Sequence, residues 1–385
     1  MSANILLPRV LEIGKDAINK CAVTLSILNV SRPLVITDNT MVAIGLLKRI
    51  TDVLNAADIR FDIFSDTVPE PTWHSVKKGI RKIQENDYDC VIAFGGGSVI
   101  DSAKAISVIG KNGGTIRQYC YPFVAEECGL PLIAIPTTAG TGSEVTRFTI
   151  ITDESSNEKL LCAGPAFMPT AALIDYTLTF DLPSRTTADT GIDAMTHAIE
   201  AYVSRKANSY SDTQALAALK LIGPNLRRVY HNGQDPRARA AMMLGSTLAG
   251  IAFSSSSVAL VHGMSRPIGA LFHVPHGLSN AMLLPAVTRF SIHAAPERYS
   301  ECACALGIAT PGESIGAACD RLVEFLIALN RDLSVPTLRE FGADPTVFFA
   351  SLESMAAQAL ASGSPQNNPN VPDASDIMRL YKEIW

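Results

Sequence analysis

Long apolar runs are missing from this 385-residue chain. Its most hydrophobic stretches, such as Val91–Phe94 and Ala281–Pro285, fall far short of the roughly 20 residues that a membrane-spanning helix needs, so no membrane partner is expected. A cationic excess is missing as well. Thirty-two Lys and Arg stand against thirty-seven Asp and Glu, a net charge of -5, which leaves no electrostatic footprint for nucleic acid. The eight cysteines lie at positions 21, 90, 120, 128, 162, 302, 304 and 319 without one C-x-x-C pair. That scatter excludes a disulfide scaffold and points to reduced thiols in the cytoplasm. The first residues carry no basic segment followed by an apolar segment and a cleavage site, so no secretory signal is expected.

What is present is the composition of a folded protein, 47% hydrophobic and 18% charged. Single cores stop growing at about 250–300 residues, so the length implies two domains. Residues 33–37, 60–63, 90–94 and 131–137 are short apolar runs that read as strands. Helical spacing fills 40–56 and 74–86 between them, a rhythm that gives a parallel sheet covered on both faces. From about Arg185 the pattern changes to long helices, at 187–203, 210–230, 236–253, 277–289 and 313–329. Pro183, Pro236, Pro267, Pro275, Pro285 and Pro311 fall near their expected limits. The segment 361–378, rich in Ser, Asn and Pro, reads as a loop. The expected organisation is therefore an α/β domain over residues 1–182 and an all-α domain over 183–385.

The strand at 90–94 runs straight into Gly95, Gly96, Gly97 and Ser98, with Asp101 expected in the first turn of the following helix. Free N–H groups at such a helix start attract an anion, and missing Cβ atoms let a pyrophosphate come close. A tight turn that merely needs small residues would look the same. The segment is not a P-loop, and its spacing departs from Gly-x-Gly-x-x-Gly. Asp38 follows the first strand, where its carboxylate can accept hydrogen bonds from both ribose hydroxyls and repel a 2′-phosphate, favouring NAD over NADP. An ordinary turn former is the other reading of Asp38. Thr137, Thr138 and Thr141, in the polar loop that follows the strand at residue 136, could line the same crevice.

Only seven histidines occur in the chain, and four lie in two segments of the helical half. Asp193 and His197 stand four residues apart and so share a helix face. His262, His273 and His276 follow in VHGMSRPIGALFHVPHG. Asp193, His197, His262 and His276 would surround a divalent ion with one carboxylate and three imidazoles, a set compatible with Fe(II) or Zn(II). His273 reads as a proton carrier or an outer hydrogen-bond donor.

Taken together, GGGSVIDSAK (95–104), PTTAGTGSEVT (136–146), GIDAMTHAIEAYVS (191–204) and VHGMSRPIGALFHVPHGLSNAMLLP (261–285) resemble the iron-containing (group III) alcohol dehydrogenases. The resemblance implies a dehydroquinate synthase-like architecture, an α/β dinucleotide-binding domain (1–182) joined to an all-helical metal-binding domain (183–385) with the active site between them, and homodimers or larger homo-oligomers. It places the metal ligands on Asp193, His197, His262 and His276, the pyrophosphate loop on Gly95 to Ser98, and the NAD-selecting acid on Asp38. Thr137, Thr138 and Asp101 match further cofactor-side positions. Many members carry His-Pro-Leu-Gly where this chain has Arg266-Pro267-Ile268-Gly269. An arginine cannot serve as a base near neutral pH; it could hold an anionic group of the substrate or pair with an acid and shape the wall. The implied activity is reversible hydride transfer between a primary alcohol or diol and its aldehyde, with NAD and Fe(II) or Zn(II). A hydroxyacid dehydrogenase, a hydroxyacid–oxoacid transhydrogenase, a dehydroquinate synthase-like lyase and a non-catalytic NAD- or metal-binding protein are the alternatives.

Overall fold

A computed structural model describes residues 3–156, 158–310 and 312–385. Pro311, expected above at a helix limit, lies outside them. The chain divides into two compact units, Asn4–Asp181 and Leu182–Trp385.

The first unit contains strands β1 (Val10–Ile13), β2 (Pro33–Asp38), β3 (Asp62–Thr67), β4 (Cys90–Gly95), β5 (Leu132–Pro136), β6 (Phe148–Asp153), β7 (Glu158–Ala163) and β8 (Ala171–Ile174). Six of them form one sheet in the order β1-β8-β5-β4-β2-β3, parallel throughout. Its helices are α1 (Cys21–Leu28), α2 (Asn39–Ala43), α3 (Lys48–Ala56), α4 (Trp73–Gln84) and α5 (Gly97–Asn112). Alternate strand residues feed two cores. Leu34, Ile36, Val91, Ala93 and Leu132 pack against Val76, Ile80, Ile100 and Ile106 of α4 and α5. Val35, Ile92, Phe94, Ile133 and Ile135 pack against Leu25, Ile50 and Leu54 of α1 and α3. Burial on both faces is why these strands read as unbroken apolar runs.

β1, β8 and α1 go beyond the expected elements, and other details depart from expectation. The helix expected over 40–56 is two helices, because Gly45 turns the chain at φ +74°, a conformation that suits a residue without Cβ. The strand expected at 60–63 lies at Asp62–Thr67, set by the pairing of Leu34 with Asp62 and of Ile36 with Phe64. The antiparallel hairpin β6–β7 was not anticipated.

From β2 the chain first crosses to β3 on one side, then returns to β4 on the other. This reversal opens a crevice at the carboxyl ends of β2 and β4, where open α/β sheets bind ligands. Asp38 ends β2, Gly95 ends β4 and Thr137 follows β5, so all three stand along that edge.

The second unit is helical: α6 (Ser184–Val203), α7 (Ser209–His231), α8 (Pro236–Ser255), α9 (Leu260–Phe272), α10 (His276–Ser291), α11 (Pro296–Ala305), α12 (Ile315–Asp332), α13 (Pro345–Ala361) and α14 (Ala374–Glu383). Asn208, Asp235, Ser314, Asp344 and Asp373 each cap a helix start with a side-chain oxygen. Pro183, Pro236 and Pro275 mark helix starts as expected, but Pro267 and Pro285 lie inside α9 and α10. Burial of most of α9 and α10 outweighs the one backbone hydrogen bond that each proline removes. The loop expected over 361–378 is helical from Ala374, where Asp373 and Asp376 form a capping box. Among the described residues no single helix is long and apolar enough to cross a membrane. The pair α8 and α9 is sufficiently apolar when joined, but it bends by 104° at its break.

Candidate metal and cofactor sites

Helix α6 presents Asp193, His197 and Glu200 at intervals of four and three residues, hence on one face. His262 sits in the first turn of α9, and His276 opens α10. Gly277 lets α10 approach α6, since a Cβ there would run into the Asp189 carbonyl. The result is a cluster in which ligand atoms of Asp193, His262 and His276 all lie within 4.8 Å of one another. Asp193 Oδ1 stands 3.4 Å from His262 Nε2 and 3.8 Å from His276 Nε2. His197 stands beside the cluster, its Nδ1 3.8 Å from Asp193 Oδ1 and its ring stacked on both Phe253 and His262.

A four-coordinate ion with bonds of about 2.1 Å needs ligand atoms roughly 3.4 Å apart, so these separations fit a divalent cation. The donor chemistry fits too. The Asn280 amide nitrogen lies 2.7 Å from Asp193 Oδ1, 3.2 Å from His262 Nε2 and 3.3 Å from His276 Nε2, so one oxygen and two ring nitrogens converge on a single electropositive group. Asn280 Oδ1 is buried without a hydrogen-bond partner among the described residues.

Glu200 is the residue that the sequence reading missed. Its carboxylate accepts from the Ala259 and Val261 backbone N–H groups at 2.9 and 2.6 Å and meets His262 Nδ1 at 2.6 Å. A carboxylate acceptor there requires the proton on Nδ1, which leaves Nε2 to face Asp193 and an ion. Burial pulls the His262 pKa down, but the Glu200 and Asp193 carboxylates outweigh it and raise it to about 9. Burial opposes ionisation of Asp193 as well; His197, His276 and His262 overcome it and hold that carboxyl well below the usual range. Cation uptake at neutral pH must therefore displace a proton from His262, and it weakens as pH falls. Glu200→Gln is expected to lower cation affinity about 10- to 100-fold, read by titration against a chelator. Unchanged affinity would remove Glu200 from the site. The available signal was its position seven residues, two helical turns, after Asp193.

His273 occupies the left-handed residue that ends α9, at φ 55°, and is exposed. It makes no hydrogen bond to the cluster among the described residues. Arg266 lies four residues after His262 on α9, partly buried.

In the first unit, Gly96 caps α5, which begins at Gly97 and includes Ser98. Asp101 therefore stands in the second turn, not the first. Its carboxylate accepts from Ser143 Oγ at 2.6 Å and Ile150 N at 3.0 Å, so it fastens the 137–150 loop. The loop packs directly on the glycine turn: a Cβ on Gly97 would meet Thr141 at 2.6 Å, and one on Gly96 would meet Thr138 at 3.4 Å. Close packing thus requires glycine at 97, while Gly96 keeps the helix start open. Thr137 Oγ1 is buried with no hydrogen-bond partner among the described residues, a polar atom left for a ligand at this edge. Asp38 caps α2 by accepting from Met41 N at 2.9 Å. The turn-forming role is thus real, and the second carboxylate oxygen makes no hydrogen bond among the described residues.

Behind this edge Lys104 is fully buried on α5 and donates to the Thr146 carbonyl at 2.9 Å, to Thr146 Oγ1 at 3.1 Å and to the Phe148 carbonyl at 2.7 Å. Burial lowers its pKa to about 8, against the pull of Asp101 and Glu144.

Comparison with known proteins agrees with this geometry. Residues 8–176 match the family model for iron-containing alcohol dehydrogenase, and residues 187–385 match that for the C-terminal part of the Fe-containing alcohol dehydrogenase family. Lactaldehyde reductase of Escherichia coli (strain K12) is 37% identical over 92% of both chains. The NAD-dependent methanol dehydrogenase of Bacillus methanolicus is 33% identical over 98% of this chain and 99% of its own. The crystal structure of a 1,3-propanediol oxidoreductase superposes with a TM-score of 0.95 at 31% identity, covering 100% of each chain.

Proposed function

The chain belongs to the iron-containing alcohol dehydrogenase family, and from that premise we propose that it interconverts a primary alcohol or diol and its aldehyde. At the coarser level it is a metal-dependent, NAD-linked alcohol/aldehyde oxidoreductase. The convergence of Asp193, His262 and His276 around one point carries the reading. Those three residues and His197 would hold Fe(II) or Zn(II), which when bound supplies a Lewis acid for the substrate oxygen. Glu200 fixes the His262 tautomer, and Asn280 orients the Asp193 carboxylate. The start of α5, Gly95 to Ser98, would take the NAD pyrophosphate, with Thr137, Thr138 and Thr141 beside it and Asp38 on the ribose. Exposed His273 is suited to pass the released proton to solvent. The relatives' names, which cover lactaldehyde, methanol and 1,3-propanediol, support small oxygenated substrates. A cytoplasmic homodimer or larger homo-oligomer goes with this reading, as do the eight free cysteines.

Anaerobic purification, metal analysis and NADH-linked assays on primary alcohols, diols and aldehydes test it. One divalent ion per chain with turnover lost on chelation is expected; undiminished turnover without metal overturns the reading. Asp38→Asn tests the cofactor assignment, because asparagine keeps the helix cap and removes the charge. Like charges about 5 Å apart repel by roughly 3 kcal/mol at an effective dielectric of 20, so NADPH use should gain on the order of 100-fold relative to NADH. An unaltered ratio would clear Asp38 of cofactor selection.

A further inference from the structure

Arg266 is a permanent cation without an ion-pair partner among the described residues. Among the described residues it forms no ion pair and no hydrogen bond, although it is partly buried on a helix of the protein core. It follows the metal-cluster residue His262 by one helical turn, so the two side chains leave α9 on one face. Burial disfavours its charge, and Glu200 alone offers an opposing pull. Glu200 cannot serve as its partner, because that carboxylate is already taken by His262 Nδ1 and by the Ala259 and Val261 N–H groups. The charge count shows the same deficit. Asp193 and Glu200 supply two negative charges, a divalent ion two positive and Arg266 one more, which leaves one positive charge uncompensated.

We infer that Arg266 is a specificity-determining residue that receives a carboxylate or similar anionic group on the substrate, making ω-oxo acids and the matching hydroxyacids the preferred substrate class. This rests on the metal-site reading above. A guanidinium presents paired N–H donors that match a carboxylate edge to edge. One anion also brings the local charge to zero. Hydride and proton accounting is that of any NAD-linked carbonyl reduction: the aldehyde carbon takes the hydride of NADH, its oxygen takes a proton, and the anionic group remains intact.

Two measurements separate this inference from the reading beneath it. The first is binding without turnover, by calorimetry of butanoate and of its neutral isostere butanamide on metal-loaded protein. Butanoate should bind about 100-fold more tightly than the amide to the native chain, and Arg266→Ala should abolish the difference while Arg266→Lys keeps part of it. The second compares 4-oxobutanoate with butanal under NADH. Arg266→Ala should cut kcat/KM for the oxoacid about 100-fold, mainly through KM, and change butanal less than about threefold. Equal binding of butanoate and butanamide by the native chain overturns the inference whether or not any aldehyde is reduced. Equal losses on both aldehydes overturn it too, leaving Arg266 as a wall residue. Carboxylate-selective binding without reduction of any aldehyde would instead uphold Arg266 and sink the proposed reaction.

Discussion

Asp193→Ala is expected to abolish tight cation binding and lower turnover at least about 1000-fold, since Lewis-acid stabilisation of the reacting oxygen is worth several kcal/mol and each 1.36 kcal/mol is a factor of ten. The size of the effect follows from position. Asp193 supplies the one carboxylate of the Asp193–His262–His276 cluster, its Oδ1 within 3.4 and 3.8 Å of the two histidine nitrogens. It is also the hydrogen-bond acceptor for Asn280. Without it, the remaining imidazoles would have to hold a dication with no carboxylate ligand to offset its charge. The variant should fold, because α6 is anchored by many other buried residues. Metal analysis and NADH-linked assays read the outcome. Retention of a stoichiometric ion and of turnover within about tenfold of the native chain would show that the cluster is not the catalytic centre.

The second large effect is on stability. Lys104→Ala leaves the Thr146 and Phe148 carbonyls without their donor and leaves Asp101 without its buried counter-charge. Breaking a buried, hydrogen-bonded charge typically costs about 3–5 kcal/mol, so the first unit should unfold at a markedly lower denaturant concentration. Loss of NAD affinity should accompany it, since the same lysine secures the loop that follows β5. The pH dependence has a definite sign. The Lys104 pKa is about 8 in the fold against an ordinary 10.5, so the unfolded chain binds more protons between those values. The native protein should therefore gain stability from this group as pH rises through that window, and the alanine variant should lack that gain. A loss below about 1 kcal/mol would mean that water substitutes for the ammonium group.

Much of this was legible in the residues. The parallel sheet announced itself because strands buried on both faces cannot alternate, as CVIAFG of β4 shows. Asp193 and His197 share a helix turn, and the scarcity of histidine drew attention to His262 and His276. That Asp193, His262 and His276 share one ion was expected from their residue types; the distances between them were not legible, because they come from three helices whose approach depends on packing at Gly277. Glu200 looked like any acid on an amphipathic helix; only tertiary structure puts the start of α9 against it. Helix α9 itself was hidden by Pro267, which reads as a terminator until burial of the surrounding turns is known. Lys104 was hidden by the rule that lysines face water. The loop-fastening role of Asp101 was hidden as well, since its partners Ser143 and Ile150 are more than 40 residues away in sequence.

The packing at Gly277 also bears on how this protein can be altered. Anyone diversifying the surroundings of the cluster to change substrate scope has freedom at positions whose side chains end in open space. Position 277 offers none, because any added carbon collides with rigid backbone on α6 rather than with a movable side chain. A mutant library should hold that glycine constant and spend its variation on exposed positions such as Leu271, where replacements leave the seat of α10 undisturbed.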